Sequence, residues 1–181
     1  MDIQDADALL AGAVAAGRGV WIDFGAGTGT FTHALAARLG AGSRVYAVDH
    51  DPKAIVSLGR EQWERGVDVV PVVGDFTRGV KLLGADTSGV DGILFANSLH
   101  FVEQPETVLA RLVPLLRPGG SVVIIEYDGR GANRWVPYPI PSDRLGEVCA
   151  QAGLEPPVIT ARRPSAYGGA LYVAATKPER S

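Results

Sequence analysis

The stretch Asp23-Phe24-Gly25-Ala26-Gly27-Thr28-Gly29 joins a short apolar run to an alanine-containing one and is the part of the chain best suited to hold a ligand. Glycines in such a turn let the backbone reverse and approach a bound group without Cβ clashes. A helix that begins directly afterwards points unpaired N–H groups into the same space. The spacing is Gly-x-Gly-x-Gly, and Thr30 stands where the dinucleotide fingerprint has its third glycine. An acid at Asp23 would repel a pyrophosphate but suits a ligand that carries ammonium or sulfonium charge. Asp49 ends the next apolar run, where a carboxylate can accept hydrogen bonds from ribose hydroxyls. Asp75 follows Val72-Val73-Gly74 and can accept from an adenine amino group. Any one of these acids could be a helix cap or a solvated loop residue. Three acids closing three successive strands point to the crevice at the carboxyl ends of an open α/β sheet, where such folds bind ligands.

The elements that would position these residues alternate along the chain. Residues 6–17 place Leu9, Leu10 and Val14 on one helical face. Residues 20–24 form an apolar strand, and 30–39 a helix with Phe31, Leu35 and Leu39 on one side and Gly40 as its stop. Residues 44–49 form the second strand. Asp51-Pro52 opens a helix that runs to about residue 65, by the preference for an acid at the N-cap and proline in the first turn. Strands follow at 69–73, 92–96 and 121–126, with a short helical turn expected at 79–83 and a helix at 106–116 that Pro114 should shorten. Residues 118–120 read as a turn. After an irregular segment at 129–141, a helix capped by Ser142 leads to two last strands, 158–162 and 170–175, close enough to form a hairpin. The expected fold is α/β: a Rossmann-like, doubly wound, mainly parallel seven-stranded sheet with an antiparallel C-terminal hairpin, in a single domain over 1–181.

Composition narrows the function. The 181 residues carry 20 acids and 17 Lys or Arg, a net charge of −3, with no basic stripe. A protein that neutralises many phosphates needs clustered cations, so nucleic acid is not an expected partner. Arg162-Arg163 reads as a solvated loop pair. The lone Cys149 excludes an internal disulfide and reads as a buried helical thiol, consistent with a reducing compartment. No basic leader and no apolar run of about 18 residues is present, so a cytoplasmic protein without a membrane partner is expected. No metal site is expected, and a homodimer is compatible with the chain.

From about residue 18 onward the sequence resembles the class I S-adenosylmethionine-dependent methyltransferases. Asp23 to Gly29 matches their first motif, Val48-Asp49 the ribose-binding acid and Gly74-Asp75-Phe76 the adenine-binding segment. Residues 91–101 resemble the fourth-strand motif, and Leu116-Arg117-Pro118-Gly119-Gly120 the turn before strand five. The resemblance implies S-adenosylmethionine as cofactor, held by Asp23, Gly25, Ala26, Gly27, Gly29, Asp49, His50, Asp75, Phe76 and Asn97. Gly25 and Gly27 would pass the methionyl group, and His50 would cover one adenine face. Asn97-Ser98-Leu99-His100 lacks the prolines of enzymes that methylate nucleobase amines and is closer to the small-molecule group related to quinone biosynthesis.

Methyl transfer requires alignment more than acid–base machinery, although an acceptor of high pKa gains from a base. His100, just past the fourth strand, is the candidate general base, with loop shaping as its alternative role. On the acceptor side, Tyr127, Arg134, Trp135 and Tyr138 are candidates, because aromatics near Arg130 and Arg134 could hold a planar or anionic molecule. Packing of Trp135 against the domain is the alternative. The expected activity is methylation of a small molecule. Its rivals are a cofactor-binding module without catalysis, methylation of a protein or RNA, and a nicotinamide oxidoreductase, which Asp23 and Thr30 disfavour.

Overall fold

The computed structural model describes residues 1–64, 66–78, 89–166 and 168–179, so the turn expected at 79–83 lies outside the described residues. The chain order is α1 (Ile3–Leu10), β1 (Val20–Phe24), α2 (Thr30–Leu39), β2 (Arg44–Asp49), α3 (Pro52–Leu58), β3 (Asp68–Val73), β4 (Val90–Ala96), α4 (Pro105–Leu112), β5 (Leu116–Asp128), α5 (Ser142–Gln151), β6 (Val158–Pro164) and β7 (Ala170–Thr176). Among the described residues, seven strands form one sheet in the order β3-β2-β1-β4-β5-β7-β6. The first five are parallel, and β7 runs antiparallel between β5 and β6. The order reverses beside β1, which puts the topological switch point between β1 and β4, at the end of the glycine turn.

The central strands bury side chains on both faces because helices cover both, while the edge strands β3 and β6 are only partly covered. One layer joins α1 and α2 to the sheet through Leu9, Leu10, Leu35, Leu94 and Val123. The other joins α4 and α5 through Leu109, Leu145, Ile93, Phe95 and Ile124. Edge strands carry the residues a sheet centre would reject: Pro71 lies in β3 and Arg162-Arg163 in β6. Gly92 is a packing requirement, since a Cβ there would lie 2.4 Å from the Trp21 ring.

Several boundaries differ from expectation. α1 ends at Leu10 and the chain continues in turns toward Gly17, where φ reaches 133°. α3 stops at Leu58, well short of residue 65. The 118–120 turn is an irregularity within β5: Val90 pairs with Leu116 but Gly92 with Ser121. Ser142 is the first residue of α5 and not its cap, since its hydroxyl donates to Asp128 at 2.9 Å. Arg162 and Arg163 are strand residues paired with Asp128 and Asp5, and not a solvated loop. Cys149 is buried, and burial raises its thiol to about 11.

Candidate active site

The glycine turn is shaped by its own backbone. Gly25, Gly27 and Gly29 adopt φ of 82°, 52° and 85°, which side-chain-bearing residues rarely do. The Gly25 and Ala26 N–H groups donate to the Val48 carbonyl at 2.8 and 3.0 Å, locking the turn to the end of β2. A Cβ on Gly25 would approach Ser98 Cβ to 2.5 Å, so the loop after β4 presses directly on it. Ser98 holds that contact by donating to the Phe24 carbonyl at 2.7 Å.

Of the three strand-tip acids, Asp49 bonds this turn and Asp23 the helix that follows it. Asp23 is fully buried, and its Oδ2 accepts from the Thr32 hydroxyl at 2.7 Å. Its Oδ1 has no hydrogen-bond partner among the described residues. Burial pushes the Asp23 carboxyl up to about 6; the Thr32 hydroxyl opposes that shift and Asp49 adds to it. Asp49 Oδ2 accepts from the Gly27 N–H and Oδ1 from the Asp51 N–H, each at 2.8 Å. A carboxylate has about four acceptor positions, so two remain for a ligand. His50 stands exposed beside it, Nδ1 3.3 Å from Asp49 Oδ1. Asp75 accepts from the Thr77 N–H and hydroxyl at 2.9 and 2.6 Å, and that hydroxyl holds its carboxyl below the usual carboxylate range. Phe76 packs against Phe24 and Phe95, each 5.6 Å away between ring centres, as part of the core's rim.

A cavity of about 520 Å³ opens at the switch point, lined by Gly25, Ala26, Gly27, Asn97, Tyr127 and the start of α2. Met1 and Asp5 near the N-terminus and Arg163 of β6 also line it. Asn97 is the one non-glycine residue with a left-handed backbone among those described (φ 55°), and its Oδ1 is buried without a partner. A second cavity, of about 460 Å³, shares Asn97 and Tyr127 with the first and adds His100, Phe101, Arg130, Trp135 and Val136.

His100 is held by a residue that sequence reasoning missed. Its Nδ1 lies 2.6 Å from Glu126 Oε2, and its backbone N–H donates to Glu126 Oε1 at 3.1 Å. Both side chains are buried. The pair fixes the ring orientation and leaves Nε2 as the nitrogen not committed to Glu126. The available signal was an acid at the end of an otherwise apolar strand, the feature that singled out Asp23, Asp49 and Asp75.

The segment 129–141 is anchored by buried Val136 and Ile140, and the Tyr138 N–H donates to the His100 carbonyl at 3.0 Å. Trp135 does not pack into the domain: it is 63% exposed and lines the second cavity. Arg134 lies over the Trp135 ring at 4.6 Å, while neither Arg134 nor Tyr138 lines either cavity.

A family model described as a methyltransferase domain matches residues 22–122, from the first strand to the fifth. The chain belongs to the methyltransferase-domain family. Its sheet order and glycine turn are those of the class I S-adenosylmethionine-dependent methyltransferases. The chain is 33% identical over 106 residues to a demethylmenaquinone methyltransferase of Clavibacter sepedonicus, covering 59% of this chain and 40% of that protein. It is 30% identical over 109 residues to the hybrid PKS-NRPS synthetase apdA of Emericella nidulans, covering 60% of this chain and 3% of that one. The chain thus matches well under two thirds of either curated relative. A solved structure of Burkholderia thailandensis 1,6-didemethyltoxoflavin-N1-methyltransferase, with bound 1,6-didemethyltoxoflavin and S-adenosylhomocysteine, superposes with a TM-score of 0.72. The two are 26% identical, and the match covers 98% of this chain and 78% of that one. Among the described residues, no helix is long and apolar enough to cross a membrane.

Proposed function

We propose that this methyltransferase transfers a methyl group from S-adenosylmethionine to a small-molecule acceptor, with His100 as general base and Glu126 as its positioning residue. The observation that carries the reading is the shared wall of the two cavities. Asn97 and Tyr127 border both the glycine turn and the space that contains His100.

The residues present suit the cofactor. Asp23 offers a buried carboxylate with an unpartnered oxygen beneath a turn whose glycines admit close approach. It would draw the α-ammonium end, Gly25, Ala26 and Gly27 would border the methionyl chain, and Asn97 Oδ1 would accept a hydrogen bond there. Asp49 would accept from the ribose, with His50 and Asp75 on the adenine side. S-adenosylmethionine supplies a methyl group already activated on a sulfonium.

The protein then has to align the acceptor and remove one proton. Orientation contributes about 7–11 kcal/mol in favourable cases. His100 Nε2 would take the acceptor proton as the new bond to carbon, oxygen or nitrogen forms. Glu126 would hold the tautomer with its proton on Nδ1 and stabilise the imidazolium. Two relatives carry small acceptors in their names, demethylmenaquinone and 1,6-didemethyltoxoflavin, which supports a small molecule here. The test is incubation of the full chain with methyl-labelled S-adenosylmethionine and a fractionated metabolite extract. A labelled product of low molecular mass, absent with His100→Ala, supports the reading. Label found solely in protein or RNA, or cofactor bound without turnover in any fraction, refutes it.

A further inference from the structure

The cavity over the glycine turn is unevenly charged. Asp49 bonds the turn and Asp23 lies buried below it, so the floor is acidic. A ligand with an amino acid end brings an ammonium that suits this floor and a carboxylate that the same acids repel. The turn offers that carboxylate few donors. The N–H groups of Gly25 and Ala26 meet the Val48 carbonyl, that of Gly27 meets Asp49, and that of Gly29 donates to the Ala26 carbonyl at 2.9 Å.

Among the described residues lining this cavity, the one side chain with a permanent positive charge is Arg163 of β6. Strand alternation sends neighbouring arginines of β6 to different faces. Arg162 pairs with Asp128 and Ser142, while Arg163 reaches Asp5 of α1. The register partner of Arg163 on β7 is Leu171, which lines the same cavity. Asp5 is itself fixed, because its N–H donates at 2.8 Å to the Asp2 carboxylate that caps α1. Arg163 Nη1 lies 2.5 Å from Asp5 Oδ1, and the Arg163 side chain remains 41% exposed. A guanidinium carries five donors in a planar fork, so pairing with one carboxylate oxygen leaves it able to meet a second anion.

We infer that Arg163 binds the α-carboxylate of S-adenosylmethionine, with Asp5 as the residue that holds its guanidinium at the cavity wall. This rests on the cavity being the cofactor site of a methyltransferase. The amino acid end then lies between unlike charges, its ammonium toward Asp23 and its carboxylate toward the end of β6. The first turn of α1 and the C-terminal hairpin, which carry none of the glycine motif, thereby become part of the cofactor site.

The test is calorimetric titration of the full chain with S-adenosylhomocysteine and with its decarboxylated analogue, which keeps the ammonium. The analogue is a cation that the acids at the turn favour, so a native preference for S-adenosylhomocysteine requires a partner for the carboxylate. That preference should be about tenfold or more, as a charge-assisted hydrogen bond gives, and should shrink in high salt. Arg163→Met should reduce it to about threefold or less while the analogue binds within about twofold of its native affinity. Arg163→Lys, which keeps the charge without the planar fork, should restore part of it. Equal native affinity for the two ligands would overturn the inference. So would a preference unchanged in Arg163→Met, or a folded Arg163→Met protein that loses both ligands alike. Failure of the native protein to bind either ligand would instead remove the cofactor reading, and the inference with it.

Discussion

If Asp23 holds the cofactor as proposed, its protonation state should set cofactor affinity. Its carboxyl is raised from 3.8 to about 6 by burial, and Oδ1 has no partner among the described residues. Between those two values the folded protein holds a proton that the unfolded chain has released. The stability this group contributes therefore falls as pH rises through the interval, and the cost is complete above about 6. That rise corresponds to a cost of about 3 kcal/mol for ionising the buried carboxyl. A ligand ammonium over the turn would offset that cost and so select the ionised form. At about pH 5 roughly one tenth of the carboxyl is ionised, so S-adenosylhomocysteine affinity should fall about tenfold between about pH 8 and about pH 5. Calorimetric titrations across that range, in two buffers of different ionisation enthalpy, measure both the affinity and the proton released near pH 6. Asp23→Asn should bind more weakly at neutral pH and lose the pH dependence. A native affinity that stays flat from about pH 8 to 5, with no proton release, would refute the role given to Asp23.

Asp49→Ala should weaken S-adenosylhomocysteine by about ten- to hundredfold or more, through lost ribose hydrogen bonds and a loosened Gly27, and a calorimetric change under about twofold would place the ribose elsewhere. Glu126→Gln and His100→Ala should each lower turnover of the labelled product by about 10²–10⁴ while leaving S-adenosylhomocysteine affinity within about twofold. Glu126→Asp should recover part of that loss, and a fall in cofactor affinity matching the fall in turnover would reduce the pair to a structural contact. Gly92→Ala drives a Cβ into the Trp21 ring and should cost about 1–3 kcal/mol or more in denaturant unfolding. Gly146→Ala, in open space on α5, should gain about 0.5–1 kcal/mol by the same assay.

What could be read from the sequence depended on how local the determining physics is. β1, β2 and α2 appear at their expected bounds because apolar runs and glycine stops act over a few residues. The strand-tip acids were legible for the same reason, since a strand's end fixes where its last side chain emerges. Glu126 carried the local signal of an acid ending an apolar strand, but its role was missed because its partner lies 26 residues away, past the end of another strand. Phe76 follows an acid of the adenine segment, but its ring goes where Phe24 and Phe95 leave space. The lengths of α1 and α3 depended on tertiary packing, which supported one or two turns and no more. Trp135 is outward because Val136 and Ile140 take the buried positions of its loop, a choice that composition could not make.

A structure of the protein crystallised with S-adenosylhomocysteine tests the central claim most directly. The account predicts the amino acid end over the Gly25–Gly27 turn on the Asp23 side, the ribose at Asp49, and the sulfur facing the opening that Asn97 and Tyr127 share with the His100 cavity. Density for the ligand at any other place, or a sulfur turned away from that opening, would contradict it.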